Sequence, residues 1–179
     1  TAGSQGGGIY CASYSSPIIT NSTITENTVI SNDVESYGGG IYIANYSSPT
    51  ITNSTITGNT AISNGRNCYG GGICCIAYSS PTITNSTITG NSAVSYAGSP
   101  FGSYGGGICS LNDSSPTIKN SILWGDSATT GNEIYLDNSS INVTYSDVDQ
   151  DGDSGSNGNI RQDPLFVDPE NGDFHLQPD

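Results

Sequence analysis

The apolar residues of this chain recur in a pattern that returns about every thirty positions. Ile9, Ile41, Ile73 and Ile108 each follow a run of glycines and Ile134 follows a degraded one, Gly131-Asn132-Glu133; the five are spaced by 32, 32, 35 and 26 residues. Ten positions after the first four stand Ile19, Ile51, Ile83 and Ile118, and nine after the fifth stands Val143. Five further along come Ile24, Ile56, Ile88, Leu123 and Val148. Inside each copy the period is two. In Thr50-Ile51-Thr52 and Thr55-Ile56-Thr57 one Ile sits between two Thr, and Gly40-Ile41-Tyr42-Ile43 alternates likewise. This predicts three short strands per copy with Ile inward and Thr outward, and no helix.

One copy cannot bury its own Ile set. Copies stacked about 4.8 Å apart place Ile over Ile and pair every strand with the next rung. The expected fold is all-β: a right-handed parallel β-helix with three faces and about five rungs over residues 1–150, followed by an acidic loop and closing segment over 151–179. The right hand follows from the general handedness of parallel crossovers. The corners carry their own signals. Asn21, Asn53, Asn85 and Asn120 share one position; Asn tolerates the left-handed region and can pass amide hydrogen bonds along a stack, so these residues are the expected Asn ladder. Asn27, Asn59, Asn91 and Asp126 form a second column. Pro17, Pro49, Pro81 and Pro116 open the second strand, and the triple glycines permit a tight bend.

Composition narrows the partners. Lys and Arg number 3 against 16 Asp and Glu, a formal net charge of −13. Nothing here neutralises phosphates, which argues against nucleic acid and anionic membranes. No apolar run approaches a membrane span. The chain opens on Thr1 with no signal peptide or initiating Met, which reads as a processed or excised segment. The five Cys have no zinc-ligand spacing.

The pattern GGGIY…SSPTITNSTITGNTA resembles the right-handed parallel β-helix repeats of bacterial and archaeal secreted surface proteins, including the polymorphic outer-membrane-protein type. The tail from Asp163-Pro164-Leu165-Phe166 to Phe174-His175-Leu176 resembles the segment that closes such helices in large cell-surface proteins. The resemblance implies a pectate-lyase-like fold and a secreted or cell-surface setting. That fold hosts lyases, hydrolases, adhesins and scaffolds, so it implies no single activity.

Several constellations could carry function. Asp147-Val148-Asp149-Gln150-Asp151-Gly152-Asp153 matches the opening of a calcium loop, with Asp147, Asp149, Asp151 and Asp153 as ligands. The twelfth position holds Gly158 in place of Glu, so Asn157 or Asp163 would complete the shell. A polysaccharide lyase or hydrolase needs carboxylates on neighbouring rungs, and a lyase a base beside them. Glu26, Asp33, Glu35, Asp113 and Asp126 occupy non-equivalent positions, Arg66 and Lys119 have no carboxylate column beside them, and the single His, His175, lies in the tail. A non-enzyme is therefore expected, with a polysaccharide-active enzyme as the alternative. Rows of Tyr and Thr offer stacking and ice-binding surfaces, but the T-x-T array breaks at Lys119, Ile122 and Trp124. Cys74 and Cys109 share the outward slot of strand one on neighbouring rungs, which predicts a disulfide and an extracellular setting. Asn45, Asn112 and Asn138 are candidate glycosylation sites at a shared turn. The uneven loops, Ser31 to Tyr37, Ser63 to Tyr69 and Ser95 to Tyr104, emerge on one edge, which nominates Arg66, Tyr69, Tyr96, Phe101 and Tyr104 as a partner surface. The function expected is structural: an extracellular solenoid that stacks end to end with itself as a layer or filament. A glycan-binding adhesin or stalk fragment of a larger surface protein, its partner the neighbouring rungs of that chain, is the alternative.

Overall fold

A computed structural model describes residues 3–96, 101–151 and 155–178, and in it the chain winds into a stack of parallel rungs. The first strands, Ile9–Cys11, Ile41–Ala44, Ile73–Ile76, Ile108–Leu111 and Ile134–Asp137, pair in that order as one five-stranded parallel sheet. The second strands, from Ile18–Thr20 to Asn142–Thr144, form another, and the third strands, from Thr23–Thr25 to Asp147–Val148, a third. The register stacks like on like: Ile51 pairs with Ile19 and Ile83, and Ile56 with Ile24 and Ile88. Ile41, Ile51, Ile56, Ile73, Ile83, Ile88, Ile108 and Ile118 are fully buried in one continuous core. Each such side chain contributes about 1.5–3 kcal/mol by leaving water.

Two further strands per turn lie where loops were expected. Thr28–Ser31, Thr60–Ser63 and Ser92–Ser95 form a fourth sheet, and the two-residue strands Ser4–Gln5, Ser36–Tyr37, Cys68–Tyr69 and Ser103–Tyr104 lead into the glycines. They enclose two small satellite cores. One holds Val29, Ala61, Ala93 and Cys68. The other holds Tyr42, Ala44, Cys74, Cys109 and Leu111 beneath Tyr37, Tyr69, Tyr104 and Tyr135. The slot read as outward on strand one is therefore interior. The cause is the glycine turn: Gly38, Gly70 and Gly105 have φ of 64–68°, which folds each leading strand back so that its Tyr lies over the first strand. The next glycine meets backbone directly. A Cβ on Gly71 would lie 2.4 Å from the Ser92 carbonyl carbon and 2.5 Å from Gly106 O.

Corners follow a two-residue rule. A residue with positive φ (Tyr46, Asn53 or Gly58) turns the chain, and the next residue, Ser47, Ser54 or Asn59, directs its N–H along the stack axis. That N–H donates to the side-chain oxygen of the same corner one rung on: Ser47 to Ser79 Oγ at 3.3 Å, Ser54 to Ser86 Oγ at 3.2 Å, Asn59 to Asn91 Oδ1 at 3.0 Å.

The two ends differ. At rung one the core residues Ile9 and Ile19 are half-exposed. At rung five Ile134, Val143 and Val148 are only 5%, 5% and 0% exposed. Residues 155–160 run across that end, where Ile160 N donates to Ser146 O and Val148 N to Ile160 O. The chain then forms the antiparallel hairpin of Phe166–Asp168 and Asp173–Leu176, with a 3-10 turn at Pro169–Asn171. The hairpin folds back along the third-strand sheet, leaving clefts of about 330–430 Å³ against Thr23, Thr25, Thr55, Thr57, Thr87, Thr89 and Trp124.

Candidate functional site

The expected partner surface divides in two. Arg66, Tyr96 and Phe101 are exposed on the loop edge, with Tyr96 at 70%. The Arg66 guanidinium carbon stands 5.9 Å from the Phe101 ring centre, and the Arg66 loop is tied down by Ser63 Oγ, which accepts from Arg66 N, and by Ser95 Oγ, which donates to Arg66 O. Tyr69 and Tyr104 belong elsewhere. They stack at 5.3 Å in the half-buried row that roofs Cys74 and Cys109; burial pushes the Tyr69 hydroxyl up to about 12. A second row, Tyr14, Tyr46 and Tyr78, is exposed but stacks at 5.0–5.2 Å with planes within 8° of parallel. Its rings occupy one another's faces and present edges to solvent.

The Cys74–Cys109 disulfide is not formed. The two residues are register partners, as expected, but both are buried free thiols. In-register side chains on parallel strands project side by side, so their Cβ atoms keep the strand spacing of about 4.8 Å, longer than the ~3.8 Å a disulfide takes. Burial holds the thiols of Cys74 and Cys75 well above the ordinary value, and that of Cys68 at about 12.

The described carboxylates of the acidic segment are engaged by different partners. Asp147 turns inward and accepts from Gln162 N at 3.1 Å. Asp149 and Asp151 both bind the Arg161 guanidinium, Asp149 at 2.9 Å. An arginine absent from the expected ligand set thus occupies two of its carboxylates. Asp153 lies outside the described residues. Among the described residues no group of three His, Cys, Asp or Glu is placed to hold a metal.

The expected Asn ladder exists, but on the outside. Asn21, Asn53, Asn85 and Asn120 have φ of 49–51° and are exposed; Asn85 Nδ2 donates to Asn53 Oδ1 at 3.2 Å and Asn120 Nδ2 to Asn85 Oδ1 at 3.3 Å. The stronger ladder is the second column. Asn27 Nδ2 donates to Asn59 Oδ1, Asn59 Nδ2 to Asn91 Oδ1, and Asn91 Nδ2 to Asp126 Oδ1, each at 2.9 Å. Asn59 and Asn91 are 0% and 1% exposed. The column ends in Asp126, whose N–H donates to Glu133 Oε1 at 3.1 Å. Glu133, 1% exposed, stands where the earlier rungs have their third glycine. Reading that stretch as a worn glycine turn missed it; a carboxylate replacing glycine beside an Asp replacing Asn was the available signal. Asn45, Asn112 and Asn138 are exposed turn residues with φ of 47–54°.

Stacked parallel rungs with in-register cores define a parallel β-solenoid. Residues 28–159 match the family described as right handed beta helix region, and the chain belongs to that family. Searches of curated proteins and of solved structures return no match.

Proposed function

We propose that this solenoid is a non-catalytic structural module of a secreted or cell-surface protein, and that its rung-one edge pairs with a further β edge, that of a second copy or of neighbouring rungs of a larger chain. The difference between the ends carries this reading: Ile134, Val143 and Val148 are covered at rung five, whereas Ile9 and Ile19 are half-exposed at rung one, beside Ile18 at 78% and Ile30 at 56% exposure. Unpaired strand edges over a partly bare core favour addition of another β edge. Between two copies, a contact of one rung-one edge with the other is isologous and closes as a two-fold dimer. The corner side chains support the structural role, because the side-chain oxygens of Ser47, Ser54 and Asn59 are spent accepting the backbone N–H groups of Ser15, Ser22 and Asn27 on the preceding rung. The extracellular setting rests on the resemblance of the repeats and tail.

Sedimentation equilibrium over a concentration series is the test. A monomer–dimer equilibrium, abolished by Ile18→Asp with Ile30→Asp, is expected; both changes alter only exposed side chains. A monomer at all concentrations, or open-ended growth, sinks the pairing of two copies. Turnover of acidic polysaccharides in a lyase or reducing-sugar assay overturns the non-catalytic part. A second reading, glycan recognition, is favoured by Arg66 held over Phe101 beside exposed Tyr96. Its check is a glycan array on which binding is lost in Arg66→Ala.

A further inference from the structure

We propose that Asp126 and Glu133 share one proton, and that this proton fastens the fifth rung to the fourth. The Asn column shows why. At each step Asn Nδ2 supplies two hydrogens: Asn59 gives one to Asn91 Oδ1 and one to Ile24 O, and Asn91 gives one to Asp126 Oδ1 and one to Ile56 O. At the next step the donor is missing. Asp126 Oδ2 occupies the place of that nitrogen: the nearest side-chain atom to a Cβ on Gly107 would be Asp126 Oδ2, where Gly40 and Gly72 meet the Asn59 and Asn91 amides. Asp126 Oδ2 and Glu133 Oε2 are both buried without a partner, and the bond from Asp126 N to Glu133 Oε1 at 3.1 Å brings the two carboxyl groups into the same buried corner. Two carboxylates cannot both stay ionised in such a site, and one bound proton turns Asp126 into a donor like the Asn residues before it.

The surroundings agree. Asp126 faces Asn91 and Glu133, and Glu133 also faces Asp149, which Arg161 bridges from the exposed side. Desolvation first, and then the neighbouring carboxylate, hold the Asp126 acid well above the ordinary range. Glu133 is raised too, chiefly by burial. Raised carboxyl groups bind more protons folded than unfolded. Their stabilisation is therefore complete in acid and lost as pH rises towards the folded value.

Unfolded Asp and Glu titrate near pH ~4, so from about pH 5 upward one retained proton lowers the folding constant about tenfold per pH unit. The experiment is denaturant unfolding between about pH 5 and 7.5, below the ordinary range of thiols. Exposed His175 is replaced by Gln in every form, so that it adds no slope. Asp147, also raised by burial, is common to all forms and cancels. Asp126→Asn restores the amide donor and Glu133→Gln supplies one from the other side. Each is expected to remove one proton's worth of slope, and Asp126→Asn to raise the folding constant at pH 7. Infrared spectra give an independent readout: a protonated carboxyl band at neutral pH, absent from Asp126→Asn. Parallel pH profiles in the three proteins, or no such band in the parent, overturn the proposal.

Discussion

Asn53 and Asn59 carry the same side chain six positions apart, and the fold uses them oppositely. Asn53 is itself the left-handed corner residue and points to solvent, whereas Asn59 follows the left-handed Gly58 and points inward. Asn59→Ala strands Asn27 N and Nδ2 and removes the donor to Ile24 O. At about 1–3 kcal/mol per buried group left unpaired, the cost should reach about 3–5 kcal/mol by chemical denaturation, against about 1 kcal/mol or less for Asn53→Ala. Glycines separate in the same way. Gly71→Ala drives a Cβ into backbone on two rungs and should cost more than about 3 kcal/mol. Gly125 has φ of 70° with nothing within 4 Å, so Gly125→Asn, a residue at ease in the left-handed region, should stay within about 1 kcal/mol. Both columns were legible as repeats of Asn. Which of them faces inward was not, because that depends on whether the Asn or its predecessor makes the turn.

The five cysteines are spread over three cores: Cys11 and Cys75 in the main one, Cys74 and Cys109 beneath the Tyr row, and Cys68 beside Val29 and Ala61. All five are buried, and burial raises those of Cys11, Cys68, Cys74 and Cys75, which suppresses the reactive thiolate. An aromatic disulfide reagent at pH 8 should leave the native protein unmodified on the timescale of a free thiol and modify five groups after denaturation without reductant. Three groups in denaturant would establish a disulfide instead. The three core strands of each turn were readable from period-two alternation. The leading and fourth strands were not: two residues such as Ser36–Tyr37 carry no period, and Val29, Ala61 and Ala93 are too small and varied to mark a core. The Thr columns were legible as well, but not their cover. Phe174 seats the hairpin against the third-strand face and packs edge-on to Phe166 at 5.3 Å. Phe174→Ala should speed hydrogen exchange over residues 166–176 while leaving the rungs protected; unchanged exchange would mean that the hairpin is held elsewhere.

Taken as one body, the solenoid is a strongly acidic rod with one covered end. Sixteen acidic against three basic side chains oppose any meeting of two copies, and that repulsion is long-ranged at low salt. The screening length falls from about 30 Å at 0.01 M to about 8 Å at 0.15 M. The rung-one contact offers strand edges and apolar side chains, which salt does not screen. The dimer constant should therefore rise with sodium chloride over that range. Magnesium and calcium chloride at matched ionic strength should have the same effect as each other, because Arg161 already occupies Asp149 and Asp151. Light scattering in the three salts separates the outcomes. Association that weakens with salt would mean that charge pairs, not strand edges, join the copies. A response to calcium alone would mean that the acidic segment releases Arg161 and closes around the ion.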